Sequence, residues 1–342
     1  MSEPRRRGPV GLSLLLAAAA AVSAAELPAS ASGAAPDATV AVTGASAAAP
    51  AASPSGGGLL ALDTARHVVW VTSPGRHQLL EVDTRTRRVL TVTMLGGRPR
   101  SIAVDLGTHR VYVGLADGRL QVLAPNGRRT VALVSLPGPV TAVAVDPGRH
   151  RVYATTTSLT AGHVGALTAV DDRSEHRIRS VSAGRDPGSV AVDTARHSVW
   201  VLQQDTGRLT EFEGTLIAST RVLDGAAHTA APALAVDPAG GRLYLLIDTP
   251  RPPVLVTLSS AVTGVAEVQR TGGTPVGLAV DPVEHRVLVA NRNGTVAVYG
   301  RSLLATIHVR GVPQAIAYDP TTRTAYLFDA NTPTVRTVAI DP

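Results

Sequence analysis

Residues 276–313 read VGLAVDPVEHRVLVANRNGTVAVYGRSLLATIHVRGVP, and the reading of this stretch decides the fold. Val276-Gly-Leu-Ala-Val-Asp281 is apolar almost throughout, as expected of a strand buried on both faces. Pro282-Val283-Glu284 makes a turn, and His285 to Ala290 forms a second strand. Asn291-Arg292-Asn293-Gly294 is a hairpin turn whose glycine supplies a positive φ. Thr295 to Tyr299 alternates with period two, Gly300-Arg301-Ser302 turns again, and Leu303 to Val309 makes a fourth strand. Gly311-Val312-Pro313 then leads out. The result is one unit of four antiparallel strands, A to D.

The unit recurs along the chain. Its strand-A Asp is found at Asp63, Asp105, Asp146, Asp193, Asp237, Asp281 and Asp319. Seven residues after each stands a bulky side chain: Trp70, Tyr112, Tyr153, Trp200, Tyr244, Leu288 and Tyr326. Successive Asp residues are 42, 41, 47, 44, 44 and 38 apart. Repeats of that length, built from short Val-rich runs, are the signature of a β-propeller with one blade per repeat. The seventh unit offers strands at 314–318, 324–328 and 334–340 but no strand D. An alternating run from Ala38 to Thr43 is suited to that place. The expected fold is therefore all-β: a seven-bladed propeller closed by pairing of strand 38–43 with the C-terminal blade, which removes an exposed edge.

Composition narrows the function. Cysteine is absent, which excludes disulfides, thiolate metal sites and cysteine nucleophiles. All 32 basic residues are Arg, scattered singly through the repeats, so the net charge of +6 does not describe a nucleic-acid footprint. Arg5, Arg6 and Arg7 precede an apolar stretch from Val10 to Val22 that ends in Ser23-Ala24-Ala25. A basic head, a short apolar run and small residues at the cut are the parts of a secretory signal. The expected segments are a signal peptide at 1–25, an Ala/Ser/Pro/Gly-rich stretch at 26–57 containing the closing strand, and the propeller at 58–342. The apolar run is shorter than the roughly 20 residues of a spanning helix, so no membrane span is expected once the signal is removed. Retention of the run as an uncleaved anchor is the rival reading.

Tyr112-Val-Gly, Trp70-Val-Thr-Ser and Leu288-Val-Ala-Asn each follow an Asp-bearing A–B turn. In this frame the chain resembles the YVTN family of β-propeller repeat proteins over roughly residues 58–342. The resemblance implies an extracytoplasmic seven-bladed propeller and carries over no catalytic residue, because the shared motif is structural.

The recurring residues read as frame. An Asp before a tight turn accepts from backbone N–H groups two residues on, and the bulky column fills the space between blades. His67, His109, His150, His197 and His285 share a register four residues after the Asp. A metal needs its ligands about 2 Å away, whereas packed sheets lie about 10 Å apart, so these His belong to the turn and no metal or cofactor is expected. Function should sit in the variable loops. Those between strands D and A supply Arg98, Arg100, Arg185, Arg310 and Gln314; those between B and C supply Asp117, Gln203, Asp205, Asn291, Arg292 and Asp329. Four of the first group are Arg, which suits an anionic ligand. The expected protein is an exported, monomeric, non-catalytic binding or protein-interaction module of the cell envelope or extracellular space. Its partner would be a protein or a small anionic ligand. A lactonase- or lyase-like enzyme using the same loop face is the alternative, and a passive envelope structural protein the second.

Overall fold

Seven strands, six ending in the repeat's Asp and one just before it, form the inner wall of a ring in the computed structural model of this chain. The structure describes residues 38–41, 59–158, 162–222, 233–248, 252–259, 265–329 and 334–340. The expected signal peptide, most of the Ala-rich stretch, Val42 and Thr43 lie outside the described residues. The inner strands are Leu60–Asp63, Pro99–Val104, Val140–Asp146, Pro187–Asp193, Ala233–Asp237, Pro275–Asp281 and Ala315–Asp319. Each packs on the inner strands of both neighbours, including the last on the first, so the inner wall is continuous. The other strands of each blade follow outward in chain order within seven antiparallel four-stranded sheets. The fold is an all-β seven-bladed propeller.

In the seventh sheet, Ala315–Asp319, Thr324–Asp329 and Thr334–Ala339 are followed by the short strand Ala38–Ala41. Its backbone runs antiparallel to Thr334–Ala339, with Ala38 opposite Thr337 and Ala41 opposite Thr334.

The core is divided into seven apolar layers, one in each seam between blades, and the bulky column supplies a knob to each. Trp70 packs with Val111 and Val113 of blade 2, Trp200 with Leu243 and Leu245 of blade 5, and Tyr326 with Val69 and Val71 of blade 1. Leu288 fills the seam to blade 7 alone in its register, beside Tyr318 and Leu327. All seven of these side chains are at most 3% exposed. Burial of such a side chain stabilises by about 1.5–3 kcal/mol. The residues are Val, Leu and aromatics because each sheet is covered on both faces near the axis.

Strand limits differ from the sequence reading at one informative point. His285 begins no strand: strand B of blade 6 is Arg286–Asn291, and His285 sits in the turn at φ 52°. Among the described residues no helix is long and apolar enough to cross a membrane.

Candidate functional site

The seven carboxylates have two tasks. Backbone N–H groups of Arg66, Gly107, Arg149, Ala195, Gly240, Val283 and Thr321 donate to Oδ1 of their own blade's Asp at 2.7–3.2 Å. At Gly107, Ala195, Val283 and Thr321 the donor is two residues on, the expected Asx-turn, and at Arg66, Arg149 and Gly240 it is three residues on. The second oxygen does what the sequence reading missed. Nδ1 of His109 donates to Oδ2 of Asp63 at 2.9 Å, His197 to Asp146 at 2.9 Å, and His285 to Asp237 at 2.7 Å. Each bond ties one blade to the one before it. A carboxylate only accepts, so Nδ1 carries the ring proton in these links.

The backbone explains why so few residue types occur there. All five His, together with Gly241 and Arg323 at the same register, have φ between 50° and 60°. A non-Gly residue in this left-handed region is strained by roughly 1–2 kcal/mol. A hydrogen bond to a buried charge, worth about 1.5–3 kcal/mol, offsets that. Where Gly241 gives up the link, Arg196 of the same blade holds Asp193 at 3.0 Å. In blade 7, Arg323 reaches Glu284 at 3.3 Å while Arg286 holds Asp281 at 3.2 Å. Among the described residues no group of three or more His, Asp or Glu is arranged to hold a metal ion.

The D–A and B–C loops share the opposite face, and among the described residues D–A loops rest on the next blade's B–C end. Ala116 N–H donates to Arg98 O at 2.9 Å, Arg292 N–H to Thr274 O at 2.7 Å, and Gln314 N–H to Phe328 O at 2.8 Å. Three candidate side chains stand ten residues after their Asp and reinforce that contact. Gln203 Oε1 accepts from Arg185 N–H at 3.3 Å, Asn291 Nδ2 donates to Thr271 O at 3.1 Å, and Asp329 Oδ2 accepts from Val312 N–H at 3.2 Å. Gly311 makes the last approach possible: its φ is 88°, and a Cβ there would lie 2.3 Å from Asp329 Oδ2. Blade 2 solves the same problem from strand C, where Gln121 Oε1 accepts from Gly96 N–H at 2.9 Å.

Two of the acids pair with Arg. Asp205 lies 3.2 Å from Arg185. Asp117 binds the Arg119 guanidinium, whose hydrogen bond holds the Asp117 carboxyl below its ordinary range. Arg98, Arg100, Arg292 and Arg310 are left without an acceptor for their guanidinium groups among the described residues. Arg100 is the most constrained of them. In the pairing of strands A and B in blade 2, Pro99 faces Leu115 and Ser101 faces Gly114, so Arg100 is the extra residue of a β-bulge. Thr141, Gly188 and Val276 are the bulged residues at the same register of blades 3, 4 and 6. Bulges at a rim re-aim side chains, and these four stand at the start of inner strands, on the loop face. Burial, and secondarily the charge of Arg98, lowers the basicity of Arg100. The face also brings His163 Nδ1 to 3.6 Å from Asp186 Oδ1, beyond hydrogen-bond range, with the imidazole 60% exposed. Arg251 and Asn331, also on these loops, lie outside the described residues.

Similar folds are found among solved structures. No family model matches the chain. No curated protein matches it either. A chain of Kuenenia stuttgartiensis hydrazine synthase superposes with a TM-score of 0.72 at 13% identity, covering 87% of this chain and 99% of that one. A chain of the mitotic checkpoint complex superposes with a TM-score of 0.69, again at 13% identity, covering 84% of this chain and 87% of that one. At such identity the likeness concerns the fold, and the activity of either protein does not transfer.

Proposed function

We propose that this chain is an exported YVTN-like propeller acting as a non-catalytic binding module that takes a small anionic ligand at the channel mouth of the D–A/B–C face. One observation carries the reading: Arg98 and Arg100 stand close enough to repel, Arg100 is half-buried, and neither has an acceptor among the described residues. A guanidinium pair in that state is electrostatically incomplete, and a carboxylate or phosphate accepting two parallel N–H bonds completes it. Propellers commonly bind through loops held by the rigid blades. Export rests on the Arg5–Arg7 head and the apolar run behind it. Calorimetric titration with citrate and with inorganic phosphate tests the site. Saturable binding is expected for the wild type and not for the Arg98→Ala/Arg100→Ala double variant; equal binding by both overturns the proposal.

The enzyme alternative has one foothold, the exposed His163–Asp186 pair. Ester or lactone hydrolysis by the wild type that disappears in His163→Ala would favour it over the binding module.

The same proposal includes the lock of the ring. Residues 38–43 act as the outer strand of blade 7, a reading supported by the antiparallel register of Ala38–Ala41 against Thr334–Ala339. A chain beginning at Gly56 should melt well below the mature protein, and an unchanged melting temperature sinks this part.

A further inference from the structure

The seam between blades 2 and 3 breaks the pattern of the Asp–His links. By register, His150 should donate to Asp105 as His109 does to Asp63. Its Nδ1 instead faces Oδ2 of Asp172, at 3.3 Å. Asp172 is the second residue of an Asp171-Asp172 pair at the C–D turn of blade 3. Asp171 caps that turn, accepting from Arg173 and Ser174 N–H at 3.1 and 3.0 Å. Asp172 is thus an extra carboxylate beside His150, with Asp105 as its acidic neighbour across the seam. Asp105 and Asp172 are 1% and 0% exposed.

Among the described residues, four buried oxygens here have no partner: Asp105 Oδ2, Asp172 Oδ1, Glu175 Oε2 and the Tyr112 hydroxyl. The positive charge facing them is limited. Arg110 binds Glu175 Oε1 and the Asp172 carbonyl, and Arg151 is held by Asp171 at 2.6 Å. Arg173 donates to Nε2 of His150 at 2.6 Å, which requires the lone pair there and puts the ring proton on Nδ1. The imidazole therefore brings a dipole to the seam and not a charge. Three largely buried carboxylates then face one guanidinium. Two carboxylate oxygens that approach each other without a donor can bond only through a proton between them.

We propose that this seam is a proton-binding site. Asp172 Oδ1 holds a proton that it donates to Asp105 Oδ2, doing the bridging that a histidine proton does at other seams, and a second proton sits on Glu175 Oε2. The direction of the titrations agrees. Burial, then the hydrogen bond with Asp105, raises the Asp172 carboxyl above its ordinary value. Burial, only partly opposed by Arg110 and reinforced by Asp172 and Asp171, pushes Glu175 up to about 7. A cavity of about 460 Å³, lined by Thr108, Arg110, Arg129, Asp172 and Arg173 among others, borders the cluster.

The sign follows from linkage. Glu175 ionises near 4.5 when unfolded and near 7 when folded, so the folded state holds the extra proton between those values. The stability it contributes is fully present below pH 4.5 and is lost as pH rises through about 7. Thermal unfolding of the full chain between pH 5.5 and 8.5 reads this, beside Asp172→Asn and Glu175→Gln. The wild type should lose melting temperature as pH rises. Each variant, carrying a permanent amide donor, should show a flatter slope and melt at or above the wild type at the top of the range. Parallel slopes for all three proteins overturn the proposal. Difference infrared spectroscopy decides the matter if a variant fails to fold. At pH 6 the wild type should show the carbonyl stretch of a protonated carboxylic acid, diminishing as pH is raised to 8.5, and absence of that band overturns the proposal.

Discussion

On the face of the A–B turns, one carboxylate recurs in every blade, holding its own turn with one oxygen and, at three seams, the next blade's histidine with the other. On the opposite face, the residue ten positions later is Ser73, Leu115, Thr156, Gln203, Ile247, Asn291 or Asp329. Both faces must join neighbouring blades. The first does so with a part that repeats, whereas the second mixes backbone bonds, an amide here, an acid there, and a glutamine borrowed from strand C in blade 2. Variation is tolerated where backbone N–H and C=O groups already make the contact. It is resisted where a buried charge must be matched. A face free to vary is where a ligand site can arise without loosening the ring.

The sharpest way to break the comparison is to remove one carboxylate. Asp237→Ala deletes the cap on Gly240 and the link to His285 together, and should lower unfolding free energy by about 3 kcal/mol. His285→Gly should cost less, because it keeps the cap on Gly240 and relieves the left-handed backbone, although Asp237 then lacks the arginine that Arg196 supplies to Asp193 beside Gly241. On the other face, Asn291→Ala removes a side-chain bond to Thr271 O while Arg292 N–H still holds Thr274 O. That loss should be about 1 kcal/mol. Denaturant midpoints of the three variants rank them. If Asn291→Ala proves as damaging as Asp237→Ala, the two faces are not different in kind.

The ring was legible in the sequence and the links across it were not, for one physical reason. Strand period, turn residues and the Asp-to-aromatic interval are local, so the repeat from 276 to 313 displays them without help. The partner of Asp63 is 46 residues away and that of Asp146 is 51 away, in the next repeat. The signal was present as five His sharing a register with Gly241, a position that asks for positive φ. The bulges that aim Arg100, Gly188 and Val276 are one residue of mismatch between strands A and B. A proline just before each, at Pro99, Pro187 and Pro275, is the trace they leave. Of the candidates read as loop residues, Arg185, Gln203, Asn291 and Asp329 close strands and Arg100 lies inside one. Their division into Gln203, Asn291 and Asp329, which hold loops, and Arg98 and Arg100, which hold nothing among the described residues, depends on contacts between blades.

The smallest expected effect on stability belongs to the residues proposed to bind. Arg98 and Arg100 are positioned by backbone bonds and a bulge, and replacing both side chains by Ala removes no hydrogen bond among the described residues. It also removes the repulsion between them and the desolvation of Arg100. The double variant should therefore unfold within about 0.5 kcal/mol of the wild type, or slightly above it, while losing anion binding. A structural arginine would behave in the opposite way, with stability and binding falling together. Added phosphate separates the two roles further: it should raise the melting temperature of the wild type by ligand linkage and leave the variant where it was.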